Sequence, residues 1–93
     1  MSALKGNILI TDDDSDMRWV LGTALGALGF GVVASPNGEQ ALWEIETRQF
    51  DAVLLDINMP GIGGVETCRR IRKKAPLLPI LMLTVRHKEL DKI

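Results

Sequence analysis

Ala52-Val53-Leu54-Leu55-Asp56-Ile57-Asn58-Met59-Pro60 is the stretch on which the fold turns. Four apolar residues lead directly into one carboxylate, and a proline closes the segment two residues after an asparagine. So short an unbroken apolar run, rich in branched side chains, reads as a strand enclosed on both faces of a parallel sheet. Asp56 then stands at the carboxyl end of the strand, the edge at which open α/β sheets hold their ligands. An Asp in that place can serve simply to cap a loop. A second acidic group, Asp12-Asp13-Asp14, however, follows another apolar run, Ile8-Leu9-Ile10. Two strand-end acid clusters in one small domain point to a cation site, because carboxylates brought together repel unless a positive charge lies between them.

Working outward, Asn7 to Thr11 is a first strand. Asp14 or Ser15 is placed to cap a helix, with Asp16 adding negative charge to its first turn. Met17, Val20, Leu21, Ala24, Leu25 and Leu28 recur at spacings of three and four, the stripe of an amphipathic helix that Gly29 stops. Gly31 to Ala34 is a second strand, and Ser35-Pro36-Asn37-Gly38 is a turn. Ala41, Leu42 and Ile45 mark a second helix ending near Arg48, and the third strand runs from Asp51 to Asp56. Pro60 to Gly64 reads as a glycine-rich loop, followed by a third helix with Val65, Cys68 and Ile71 on its apolar stripe and Ala75-Pro76 at its end. Pro79 opens a fourth strand, Ile80 to Leu83, that ends at Thr84, and the polar residues 85–93 are a candidate start for a fourth helix. Strands alternating with helices over short connections specify right-handed βαβ units and a parallel sheet.

The composition limits the rest. Ninety-three residues, 46% apolar and 25% charged, make one soluble globular domain with a modest core. A net charge of −1 favours neither nucleic acid nor acidic lipid as a partner. Cys68 is the only cysteine, which excludes an intrachain disulfide and fits a reducing compartment. No stretch approaches membrane-spanning length and no secretory signal opens the chain, so a cytoplasmic location and no membrane contact are expected. The basic run Arg69, Arg70, Arg72, Lys73 and Lys74 complements the C-terminal dipole of the third helix, so no direct nucleic-acid contact is expected of it. Trp19 and Trp43 fall off the main stripes of their helices and are expected on partly buried flanks. Met59 and Cys68 are expected to serve packing.

Three strand ends converge in this reading, carrying Asp12 and Asp13, Asp56, and Thr84. An oxygen-only donor set suits Mg²⁺, which takes few protein ligands and keeps several waters. A carboxylate beside such an ion can act as a nucleophile toward phosphorus, since the cation neutralises charge on the transferring group. The Thr84 hydroxyl on the adjacent strand could hydrogen-bond a phosphoryl oxygen.

With Ile8-Leu9-Ile10-Thr11-Asp12-Asp13, Asp56-Ile57-Asn58-Met59-Pro60-Gly61 and Leu83-Thr84 in this order, the chain resembles a response-regulator receiver domain of bacterial two-component signalling. The resemblance implies a flavodoxin-like doubly wound parallel α/β sheet of strand order 2-1-3-4. It also implies that residues 1–93 form one receiver domain truncated after the fourth strand, without a complete fourth helix, a fifth strand or a fifth helix. Asp56 would be the phosphoacceptor and Thr84 the switch hydroxyl. Asp13 would ligate Mg²⁺ directly, Asp12 mostly through water, and the backbone carbonyl of Asn58 would be a further ligand. The implied partner is a sensor histidine kinase or phosphotransfer protein, and the implied function is a phosphorylatable signalling module, not an enzyme. The sequence departs from the family at Gly63, where an acidic residue is usual, and at Val85, which is bulkier than usual. The family's phosphate-pairing lysine has no counterpart. Its absence leaves an alternative, a non-phosphorylated receiver fragment acting as an interaction or dimerisation module. An aspartate-nucleophile phosphatase would need an acid two residues after the nucleophile, where this chain has Asn58. An uncovered fourth strand is expected to drive homodimerisation or higher association.

Overall fold

The computed structural model describes residues 4–83. Thr84, Val85 and the candidate fourth helix therefore lie outside the described residues. The element order is β1 (Asn7–Thr11), α1 (Ser15–Ala27), β2 (Gly31–Ser35), α2 (Gly38–Thr47), β3 (Ala52–Asp56), α3 (Gly63–Lys74) and β4 (Ile80–Leu83). All three strand pairings are parallel, in the order β2-β1-β3-β4. The doubly wound α/β sheet expected from the sequence is the one observed.

Register divides the strand residues between two faces. Leu9 lies opposite Val33 and Val53, Val53 opposite Ile80, and Leu55 opposite Met82. Because side chains alternate along a strand, these share one face. Leu9, Val53 and Leu55 are fully buried there with Ala41 of α2 and Ile71 of α3, and Met59 closes the cluster. Each such aliphatic side chain contributes about 1.5–3 kcal/mol by leaving water. This face is the core, and Cys68 packs against it as expected.

The opposite face differs from the sequence expectation. α1 lies on β2 and β1, with Gly22 facing Val32. Yet no residue of α1 is buried, and Val20 and Leu28 of its apolar stripe are exposed. Among the described residues no second helix flanks α1 on this face, so only one side of the stripe meets protein. Leu54, at the centre of the opening stretch, is consequently half-buried, and Leu81 beside it on β4 is 60% exposed. β3 is thus enclosed on one face and only partly covered on the other.

Local ends follow the sequence more closely. Asp14 is the N-cap of α1, its carboxylate accepting from the N–H groups of Asp16 (2.9 Å) and Met17 (3.4 Å). Gly29 adopts φ +99°, the left-handed conformation of a helix stop. Asn37 caps α2 through the N–H of Gln40 at 2.8 Å. α3 begins at Gly63, so the helix absorbs two glycines that the sequence assigns to a loop. Its buried positions are Gly64, Thr67 and Ile71, while Val65, expected on the apolar stripe, is 68% exposed. Trp19 (70% exposed) and Trp43 are likewise out in solvent rather than on buried flanks. No helix among the described residues is long and apolar enough to cross a membrane.

Candidate functional site

The carboxyl ends of β1 and β3 are adjacent because the two strands pair directly. Immediately after β1 the chain is held at several points. The Asp12 N–H donates to the Ser35 carbonyl at 3.1 Å, continuing the β1–β2 ladder by one step. One Asp12 carboxylate oxygen accepts from the Asp14 N–H at 2.9 Å, an Asx turn. The Asp12 carbonyl accepts from Arg18 Nη1 at 2.7 Å. Beneath it, the hydroxyls of Thr11 and Ser35 bond to each other at 2.9 Å in a wholly buried pair. Asp12 is only 3% exposed, whereas Asp13 is an exposed residue.

Asp56, the last residue of β3, is buried, and its Oδ1 accepts from the Asn58 N–H at 3.2 Å. The next residue continues the β3–β4 ladder, Ile57 N–H donating to the Leu83 carbonyl at 3.1 Å. α3 then starts so close to this turn that a methyl on Gly64 would run into the Asp56 carbonyl and lie 2.5 Å from the Cα of Ile57. That position requires glycine. The neighbouring Gly63 has φ +79°, and its carbonyl accepts from the Thr67 hydroxyl at 2.6 Å.

The outcome is a cluster in which one oxygen from each of Asp12, Asp13 and Asp56 lies within 4.8 Å of the others. Burial pushes the Asp12 carboxyl above its usual pKa, the Asp14 N–H partly offsets this, and the charges of Asp56, Asp13 and Asp14 push it further up. Such a site is short of positive charge. An octahedral ion of Mg²⁺ size, with oxygens at about 2.1 Å, holds adjacent ligands about 3 Å and opposite ones about 4 Å apart, so this all-oxygen set fits it once the side chains draw in.

Three residues that the sequence brings forward, Asp12, Asp13 and Asp56, therefore meet. Asn58 is exposed and adjoins the cluster through its main chain. Thr84 falls outside the described residues. The Thr11–Ser35 pair and Arg18 were not anticipated. A signal for Arg18 existed: a cation in the first turn of a helix opposes the helix dipole and needs some local reason to be there. Four residues of the basic run of α3 are engaged within the chain itself. Arg69 and Arg70 both bond Glu66, holding its carboxyl down at about 2. Lys74 pairs with Glu46 at 2.5 Å, and Arg72 donates to the Leu78 carbonyl at 2.6 Å.

Comparison with known proteins gives a consistent set of matches. The family model described as response regulator receiver domain matches residues 8–93. The alkaline phosphatase synthesis transcriptional regulatory protein PhoP of Bacillus subtilis is 36% identical over 86 residues, 92% of this chain and 36% of that protein. The chain thus spans about a third of that regulator's length. The Vibrio cholerae chemotaxis protein CheY4 superposes with a TM-score of 0.83 at 28% identity, covering 96% of this chain and 78% of CheY4. The Thermotoga maritima response regulator TrrA, in complex with Mg²⁺-BeF, has a TM-score of 0.74 at 29% identity, covering 92% of this chain and 93% of TrrA.

Proposed function

Because this chain belongs to the response regulator receiver family, we propose that it is a phosphoacceptor module, taking a phosphoryl group onto Asp56 from a sensor histidine kinase or phosphotransfer protein. We take residues 1–93 as one receiver domain. The observation that carries the reading is the convergence of Asp12, Asp13 and Asp56 at the carboxyl ends of two paired central strands. Asp56 is the member suited to nucleophilic attack. It is buried, it ends a strand, and the Asn58 N–H on Oδ1 fixes its orientation while leaving Oδ2 for phosphorus. Attack would form the acyl phosphate as the bond from phosphorus to the donor's histidine nitrogen breaks.

Mg²⁺ bound at the cluster would supply charge neutralisation for the transferring phosphoryl group. Asp13, exposed on its rim, would ligate the ion directly. Asp12, tied to the Asp14 N–H, would act through water, and the Asn58 carbonyl would be the main-chain ligand. Thr84, following β4, would supply the hydroxyl that responds to the phosphoryl group. The family's usual acid before Gly64 is replaced by Gly63, whose left-handed conformation and bond to Thr67 hold the turn without it. Association of chains through the β4 region belongs to the same proposal, supported by the exposure of Leu81.

Beryllofluoride with Mg²⁺, an acyl phosphate mimic, tests the reading. Amide resonances around Asp56 and Asp13 should shift in the native chain and stay in place in Asp56→Asn. No beryllofluoride-dependent shift in the native chain in the presence of Mg²⁺, or an equal one in Asp56→Asn, would refute it.

A further inference from the structure

We infer that Arg18 is a positioning residue for the metal cluster: by holding the carbonyl of the Asp12–Asp13 peptide, it sets the direction in which Asp13 presents its carboxylate. The inference rests on the metal reading above. Arg18 Nη1 donates to that carbonyl at 2.7 Å, the length of a charge-assisted bond. The Asp12 side of the peptide is already fixed by the Ser35 carbonyl and the Asp14 N–H. The Asp13 side is different. Among the described residues nothing hydrogen-bonds its carboxylate, and the residue is exposed, so its aim depends on the plane of the peptide before it. Arg18 is half-buried and bonds the Asp14 carbonyl through its own N–H at 3.1 Å, so α1's first turn, the cap and the peptide form one unit.

Electrostatics acts here in two directions. A cation at the start of a helix opposes the helix dipole. A cation beside an Mg²⁺ site also repels the ion. With the ion bound both effects favour a neutral residue, whereas in the metal-free site a cation offsets the crowded carboxylates; only the response of Mg²⁺ affinity to substitution separates a geometric role from a charge. The two accounts give opposite signs on substitution. If Arg18 acts only as a charge, its removal tightens Mg²⁺ binding; if it positions Asp13, removal weakens it.

The experiment is a calorimetric Mg²⁺ titration of the full chain as native protein, Arg18→Met and Arg18→Lys, with melting temperatures recorded for each. Arg18→Met should weaken binding about tenfold, the low end for outer-shell partners of metal ligands. Arg18→Lys, which keeps a cationic N–H donor on a long stem, should recover most of that loss. In the metal-free state the Asp13 amide should exchange faster with solvent in Arg18→Met than in the native chain. A purely structural contribution would lower the melting temperature and leave the Mg²⁺ Kd unchanged. An unchanged or tighter Kd in Arg18→Met overturns the inference while leaving the metal reading intact. Absence of Mg²⁺ binding by the native chain overturns both. Should Arg18→Met fail to fold, Arg18→Gln, too short to reach the carbonyl, reads the same quantity.

Discussion

Asp12 combines near-complete burial with three neighbouring carboxylates, Asp56, Asp13 and Asp14, and its carboxyl is raised above the ordinary 3.8. The fold therefore binds this proton more tightly than the unfolded chain does. Between the ordinary and the raised value the native state carries the extra proton, so metal-free stability falls as pH rises through that interval. The loss persists at neutral pH. Mg²⁺ competes with the same proton, so its affinity should climb across the same interval. Asp12→Asn removes the charge and keeps an oxygen for the Asp14 N–H. It should melt higher than the native chain at neutral pH with a chelator present, and bind Mg²⁺ more weakly. A lower melting temperature would contradict the account. At this scale the sequence was informative where chemistry and position coincide, since Asp12, Asp13 and Asp56 each follow an apolar strand. Thr11, Ser35 and Arg18 act through bonds that only the strand pairing and the helix cap create, and no local pattern announces them.

Both ends of α1 were legible because capping is local chemistry: Asp14 and Gly29 do what their residue types favour, whereas Asn37, read as part of a turn, proves to be the cap of α2. Which helix residues are buried was less so. In α3 the sequence favours Val65 over Gly64 and Thr67, but the helix must approach the end of β3, and only a glycine admits the Asp56 carbonyl there. Thr67 is buried because Gly38, the first residue of α2, lies against its hydroxyl. Two glycines should accordingly behave in opposite ways in urea denaturation. Gly64→Ala should destabilise the chain by about 2–3 kcal/mol, the upper part of the overpacking range. Gly26→Ala, in α1 with nothing within 4 Å of a new methyl, should stabilise it by up to roughly 1 kcal/mol. Equal effects at both positions would mean that the close approach of α3 to β3 is wrong.

At the scale of the molecule, parallel pairing was legible from the alternation of strand and helix, and the strand order from the family resemblance that the three motifs carry. The uneven covering of the sheet was not, because a stripe such as that of α1 records what a helix can bury and not how much surface meets it. The face that carries Leu54 and Leu81 has α1 over β1 and β2 and no other helix among the described residues. With a net charge of −1 there is little repulsion to keep copies apart. Sedimentation should therefore show concentration-dependent association of the 93-residue chain, reduced by Leu81→Lys; a native monomer at high concentration would contradict this. The central claim, that Asp56 accepts a phosphoryl group at a Mg²⁺-dependent site, is tested most directly by intact mass after incubation with acetyl phosphate and Mg²⁺. The expected result is a gain of one phosphoryl group, mapped to Asp56 and absent when a chelator is present throughout the incubation or in Asp56→Asn. No gain in the native chain, or an equal gain in Asp56→Asn, would contradict it.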